Sequence, residues 1–339
     1  MGENHIDTLP HAPVVSLVMT TMTHDAPVAV PPRAATGITV ALLSAVSFAL
    51  SGALASPLLD HGWSAGAVVL VRIGLGALVV LPFGLVALRG RWDLLWRSLP
   101  TVVLYGLLAV AGAQFCYFSA VQHLDVGPAL LIEYTAPAAV VIWLWLRHHQ
   151  RPGRLTIAGA AVAGLGLLFV LDVFAGFGLH AGGVAWALAA MVGAAAYFVI
   201  SADDTTGLPP ITLAAGGLVV GGLALGALGA VGLLPMRAEH TSVSYGGADV
   251  AWWVPLVLLG LVTASFAYVT GIAAARLLGS RLASFVALSE VVAGVLWAWA
   301  LLGELPGPLQ LVGGLLVLVG VVGVKLGEKS AVEVQQIPL

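Results

Sequence analysis

The chain has 339 residues, 60% of them hydrophobic and 9% charged, with a mean hydropathy of +1.04. Soluble domains carry about 25% charged residues, so a water-soluble globular protein is excluded. The net charge of −3 says little about partners because the charges are segregated by loop, and no nucleic-acid partner is expected. One cysteine, Cys116, excludes an intrachain disulfide or a cysteine-rich metal site and reads as a small apolar filler in a helix.

Residues 1–36 are polar, Pro-rich and aperiodic, the pattern of a flexible cytoplasmic tail. They lack the basic start and apolar core of a cleaved signal peptide, and Met19 or Met22 can serve as an alternative start. Ten apolar segments follow, at 37–59, 65–88, 99–122, 127–146, 155–171, 182–201, 210–233, 251–275, 282–302 and 308–324, before a second cytoplasmic tail at 325–339. Each has the length, about 17 to 25 residues, that a helix needs to cross about 30 Å of hydrocarbon. Helices are required because a backbone group in lipid cannot go unpaired. The expected fold is an all-α membrane protein with ten transmembrane helices.

Basic residues set the orientation. With a cytoplasmic amino terminus, the inner loops and tails hold Arg33, Arg89, Arg91, Arg97, Arg147, Arg151, Arg154, Arg276, Arg281, Lys325 and Lys329, and the outer loops hold only Arg237. Ten spans return the carboxyl terminus to the cytoplasm as well.

The chain also repeats itself. Shifting by 154 residues lays Trp143 on Trp297, Trp145 on Trp299, Pro152 on Pro306, Gly153 on Gly307, Leu155 on Leu309, Gly159 on Gly313 and Gly166 on Gly320. Upstream, Phe115 and Tyr117 fall on Phe266 and Tyr268 at a shift of 151. Two five-helix repeats, 37–171 and 182–324, are therefore expected. Five spans is an odd number, so the second repeat is inverted relative to the first. Inverted repeats are a recurring plan of secondary transporters, with the substrate site near midplane between them.

The run Ala283 to Gly320, with Ser289-Glu290, the turn Leu301-Leu302-Gly303-Glu304 and a glycine-bearing last helix, resembles the EamA-type branch of the drug/metabolite transporter superfamily. The similarity covers about Thr36 to Val324. It implies a ten-helix plasma-membrane carrier, usually exporting amino acids or other small metabolites, with a central cavity between inverted repeats. Two departures stand out. The family's proline after the acid is Val291 here, while the first half has Ala136-Pro137, and the first half carries His149-Gln150 in place of the Gly-Glu turn.

Ionisable groups at membrane depth are costly and point to function. Three qualify: Arg72, Glu133 and Glu290. Arg72 and Glu133 both sit roughly 10 Å below the outer surface at about 1.5 Å per residue, so they can form an ion pair facing the bundle interior. Such a pair is either structural or a gate and binding site for a zwitterion, with Arg72 on a carboxylate and Glu133 on an ammonium group. Glu290, nearer the cytoplasmic end, either exchanges a proton that drives transport or packs by hydrogen bonding to a neighbouring helix. Cavity walls at helical spacing are Ser51 with Ser44 and Ser47, Gln114 and Tyr117 with their counterparts Ser265 and Tyr268, and Trp186 with Gly193 and Tyr197. Helix packing explains these equally well, and the overlapping G-x-x-x-G patterns at Gly217, Gly221, Gly222 and Gly226 read as packing alone.

No Walker loop, H-E-x-x-H or G-x-S-x-G motif occurs, no cofactor is expected, and His148-His149 beside Arg147 reads as a basic flank. The expected partners are a small-molecule substrate, membrane lipid and a proton as coupling ion, in a monomer or homodimer. An intramembrane lipid-modifying enzyme is the alternative reading, and a membrane scaffold the third.

Overall fold

The computed structural model describes residues 32–136, 153–170 and 180–335. The tail up to residue 31, Pro137, Trp143, Trp145, the basic turn through Arg147 and Arg151, and His148-His149 lie outside the described residues. Helix α1 (Pro32–Asp60) is followed by α2 (Ala65–Leu88), α3 (Trp92–Arg97) and α4 (Leu99–Leu104). A π-helical segment, Tyr105–Gly112, joins α4 to α5 (Ala113–Val121), and α6 (Val126–Glu133) and α7 (Arg154–Val170) complete the first part. Then come α8 (Ala181–Ala202), α9 (Pro210–Ala230), strands β1 (Val243–Tyr245) and β2 (Ala248–Val250), and α10 (Trp253–Leu258). A second π segment, Leu259–Phe266, leads into α11 (Ala267–Val286), which is broken by a non-helical kink at Gly279, φ 75°, and α12 (Ser289–Leu302) and α13 (Pro308–Gln335) end the chain.

Among the described residues, six helices are long and apolar enough to cross a membrane: 35–60, 65–88, 99–121, 181–202, 210–230 and 253–279. Shorter apolar helices run over 154–166, 289–302 and 308–320. Four differences from the expected layout have local causes. The third and eighth spans are each interrupted by a π segment. The ninth is broken at Ala287-Leu288 before α12 begins. The last helix continues to Gln335, beyond the boundary expected at 324. The fold is also not purely helical. Gly246 and Gly247, at φ 57° and 85°, close an antiparallel hairpin pairing Val243 with Val250. That backbone twist is the one a two-residue hairpin loop needs, and glycine adopts it without a steric cost.

The loops at one end of the bundle are tied together. Ser64 caps α2 by accepting from the Ala67 N–H at 3.3 Å, and its hydroxyl donates to the Pro235 carbonyl at 2.6 Å. The Trp63 indole N–H donates to the Glu239 carbonyl at 2.6 Å and its ring stacks on Trp252. Tyr245 of the hairpin donates to the Leu54 carbonyl at 2.6 Å. At the opposite end, Arg276 pairs with Asp204 at 3.1 Å and donates to the Leu208 carbonyl. These loops alternate from end to end as the chain crosses and recrosses.

Packing follows a regular scheme. Helix α2 lies along α9, and α7 lies along α13. Helix α1 packs on α11 and α12, while α8 packs on α5 and α6. Helix α2 meets the second π segment, and α9 meets the first. The α7–α13 contact is made by glycines. A Cβ on Gly166 would come within 2.6 Å of the Gly313 carbonyl, and one on Gly320 within 2.6 Å of the Gly159 carbonyl. Small residues let helix backbones approach closely in lipid, where no hydrophobic force drives helices together. The glycine-rich face of α9 does the same. A Cβ on Gly221 would come to 3.0 Å from the Gly106 carbonyl in the first π segment.

Candidate functional site

Helices α1, α5, α6, α8, α11 and α12 surround a cavity of about 610 Å3, its open mouth included. Its polar lining is Ser44, Gln114, Glu133, Tyr134, Tyr197, Tyr268 and Glu290. The lining continues through Ala41, Ala274 and Ala283 toward the end of the bundle that carries the Arg276–Asp204 pair. Phe48, Tyr105, Tyr197 and Tyr268 form one cluster of rings, with Phe48 edge-on to Tyr268 at 4.9 Å. An apolar wall with a few convergent polar groups suits a small ligand that carries both kinds of surface.

The helix breaks place the two acids. Helix α6 ends at Glu133, just before a turn at Tyr134-Thr135. Helix α12 begins at Ser289, with Glu290 in its first turn. Glu290 is buried, and it accepts a hydrogen bond from the Tyr134 hydroxyl across the helix interface. Glu133 is half-buried at the cavity wall. Interruptions of this kind are tolerated at membrane depth only where protein or a water-filled cavity meets the freed backbone groups.

Arg72 is wholly buried and does not pair with Glu133. Its guanidinium donates to the Gln114 side-chain carbonyl and, at 2.6 Å, to the Thr263 backbone carbonyl, and it lies 5.4 Å from the centre of the Phe118 ring. Among the described residues the one ion pair is Arg276–Asp204. The Arg72 charge is met instead by an amide dipole, a carbonyl and an aromatic face. The Gln114 amide meets the Tyr268 hydroxyl, which donates to the Ala109 carbonyl at 3.2 Å. Ala109 and Thr263 belong to the two π segments, where the altered hydrogen-bonding pattern turns carbonyls outward.

The other residues singled out in the sequence separate into two groups. Gln114, Tyr197 and Tyr268 line the cavity with Glu133 and Glu290. Ser51, Tyr117 and Trp186 lie outside its lining. Ser51 is buried and donates to the Phe48 carbonyl at 2.5 Å. Tyr117 is buried against Gly52 and Val126. Trp186 is 38% exposed on the outer face of α8, edge-on to Phe115 at 5.5 Å. Its spacing of eleven from Tyr197 puts both near one face of α8, and of the two only Tyr197 lines the cavity. Sequence reasoning passed over Phe48, Tyr134 and Thr263. Tyr134 had a signal, since it sits between a membrane-depth acid and Pro137. Thr263 had none, because it acts through its backbone.

Comparison with known proteins gives three results. The EamA-like transporter family profile matches residues 35–172 and again residues 181–326. A probable terminal-alkyne amino-acid exporter of Streptantibioticus cattleyicolor is 32% identical over 227 residues, which is 66% of this chain and 72% of that protein. A solved structure, described only as the crystal structure of a protein, superposes with a TM-score of 0.59 at 20% identity, covering 87% of this chain and 99% of the other. At that identity the last likeness speaks for the fold alone.

Proposed function

We propose that this chain, which belongs to the EamA-like transporter family, is a secondary carrier of the plasma membrane that exports amino acids or similar small metabolites by alternating access. The observation that carries this reading is the cavity in which Glu133, Glu290 and Gln114 face the same space. Its carboxylates suit an ammonium group, and the Gln114 amide and tyrosine hydroxyls suit a carboxylate. The exporter from Streptantibioticus cattleyicolor, whose name specifies an amino acid, supports the same substrate class. Glu290 carries the exchangeable proton in this reading, with Tyr134 as its hydrogen-bond partner.

Two inverted five-helix repeats, with the site between them, supply the alternating access. Several observations support that arrangement. The π segments start 154 residues apart, at 105 and 259, and the turns after Glu133 and Val286 start 153 apart, at 134 and 287. The helix contacts map onto themselves when the two parts are exchanged: α1 on α11 corresponds to α8 on α5, and α2 on the second π segment to α9 on the first. Both termini are cytoplasmic in this reading, on the eleven-to-one distribution of basic residues. The cavity mouth then faces the cytoplasm, while the loops tied through Ser64, Trp63 and Tyr245 close the outer side.

The test is efflux of labelled amino acids from proteoliposomes holding the purified protein under an imposed pH gradient. The wild type should move substrate in proportion to the gradient, and Glu290→Gln should lose that dependence. Equal gradient dependence in the variant would remove Glu290 from coupling. No movement of any amino acid by the wild type would overturn the substrate class.

A further inference from the structure

A second space lies on the lipid-facing side of the bundle, between α6, α12 and α13. It is a groove of about 1080 Å3, separated from the central cavity by the contact in which Leu130 of α6 fills the notch left by Gly294 of α12. Its walls are apolar: Leu131, Val295, Leu311 and Leu315 stand for the rest, and Leu311 and Leu315 are 57% and 63% exposed. From Gln310 to Leu318 the α13 wall covers nine residues, about 12 Å at about 1.5 Å per residue. That length matches much of one acyl chain rather than a small solute.

The polar groups of the groove are concentrated at one mouth, on the bundle end that carries the tied loops. They are Asp125, which precedes α6, and Glu304, in the turn after α12, with Gln310 one turn into α13. Among the described residues no basic side chain lines the groove. The Glu304 carboxylate meets the Val126 backbone N–H at the start of α6, and its other oxygen, Oε2, is buried with no hydrogen-bond partner among the described residues. A buried acceptor left unpaired costs free energy, and a carboxylate does so more than a neutral group. Burial first, then the neighbouring Asp125, raises the Glu304 carboxyl from 4.5 to about 7, which fits a site lacking a cation.

We propose that this groove seats one phospholipid with a primary-ammonium headgroup, the ammonium held between Glu304 and Asp125 and one acyl chain lying along α12 and α13. The headgroup follows from the two carboxylates at the groove mouth, exposed Asp125 and half-buried Glu304, with no basic side chain beside them. A primary ammonium donates hydrogen bonds to such a pair, and a quaternary choline has no N–H to donate. An anionic headgroup would meet two carboxylates and be repelled. The lipid would bridge the α12–α13 turn to the start of α6. This site is independent of the transport reading, since it needs only that the groove face lipid.

The test uses the full-length protein, delipidated in detergent and supplied with phosphatidylethanolamine, phosphatidylcholine or phosphatidylglycerol of identical chains. Native mass spectrometry should show one tightly held phosphatidylethanolamine per chain. Its preference over phosphatidylcholine should be about tenfold, as one charge-assisted hydrogen bond provides. Glu304→Gln should erase that preference while leaving the weaker phosphatidylcholine binding as it was. Leu315→Trp, which fills the groove without touching charge, should weaken all three lipids. If Glu304→Gln does not purify, Asp125→Asn carries the same expectation. Equal binding of phosphatidylethanolamine and phosphatidylcholine by the wild type, or a preference that survives both carboxylate variants, would overturn the proposal.

Discussion

The two matched segments use the same backbone irregularities for different side chains. At corresponding places in the π segments, Ala109 and Thr263 each turn a carbonyl toward a buried polar group, but Ala109 receives the Tyr268 phenol and Thr263 receives the Arg72 guanidinium. The breaks differ likewise. Glu133 is the last helical residue before the turn in the first segment, and Glu290 stands in the first turn after the break in the second. A duplicated backbone therefore supplies two positions where lipid-depth polarity is tolerated. Which chemistry fills each one is set by single residues. The cavity draws similar helices from both segments and is asymmetric in its charges.

Exchanging residues between the two sides tests that asymmetry, and the acids should show the largest effect. Glu290→Gln should reduce pH-driven amino-acid accumulation in proteoliposomes to the level of empty vesicles. Glu133→Gln should leave the pH dependence in place and weaken substrate affinity. If both variants lose pH dependence alike, the two acids act as one unit and the distinction fails.

The next largest effect belongs to Arg72. Arg72→Ala orphans the Gln114 side-chain carbonyl and the Thr263 carbonyl together, and each buried unpaired acceptor costs about 1–3 kcal/mol. Thermal unfolding in detergent should show a loss of about 3 kcal/mol. Tyr268→Phe, at the matching carbonyl, should lose only about 1 kcal/mol, the net value of one neutral hydrogen bond. Arg72→Lys keeps the charge but not the fork that reaches two acceptors, and should fall between them.

A smaller effect is expected at Gly271, where an added Cβ would meet the Tyr197 hydroxyl and come within 2.8 Å of the Ser44 hydroxyl oxygen. Gly271→Ala must displace the Tyr197 ring, so it should narrow the cavity, raise the substrate KM severalfold and lower the unfolding midpoint. Equal transport by the variant would show that substrate does not reach that depth.

The last effect is read against pH and concerns Glu304, whose carboxyl is raised from 4.5 to about 7. Between those values the folded chain holds a proton that the unfolded chain has lost, so stability falls as pH rises from about 4.5 to about 7 and then levels. In Glu304→Gln that part of the decline should vanish from unfolding midpoints measured across the window. An unchanged pH profile would mean that Glu304 titrates alike in both states.

Much of this was legible in the chain itself. Residues 65–88, 182–201 and 210–233 read as membrane helices and lie within one to three residues of α2, α8 and α9. Length and apolarity decide such segments locally, because lipid leaves the backbone no other way to satisfy its groups. Gly159, Gly166, Gly313 and Gly320 were legible in sequence as marks of the repeat, and their close crossing of α7 and α13 appears only in the structure. The hairpin at Gly246-Gly247 was equally readable and was overlooked within a loop.

The pairing of polar groups belonged to the tertiary structure. Depth along a helix suggested Glu133 as the partner of Arg72, but depth does not specify azimuth. In the structure the Gln114 side chain, just after the first π segment, and the Thr263 carbonyl, within the second, take the Arg72 guanidinium instead. Glu290 and Tyr134 are 156 residues apart, and only the contact between α6 and α12 brings them together. Composition and periodicity thus determined that this chain spans a membrane and where it crosses, because each helix answers to the lipid alone. The choice of which side chain meets which fell to helix packing, because a buried charge answers to whatever neighbour the packing provides.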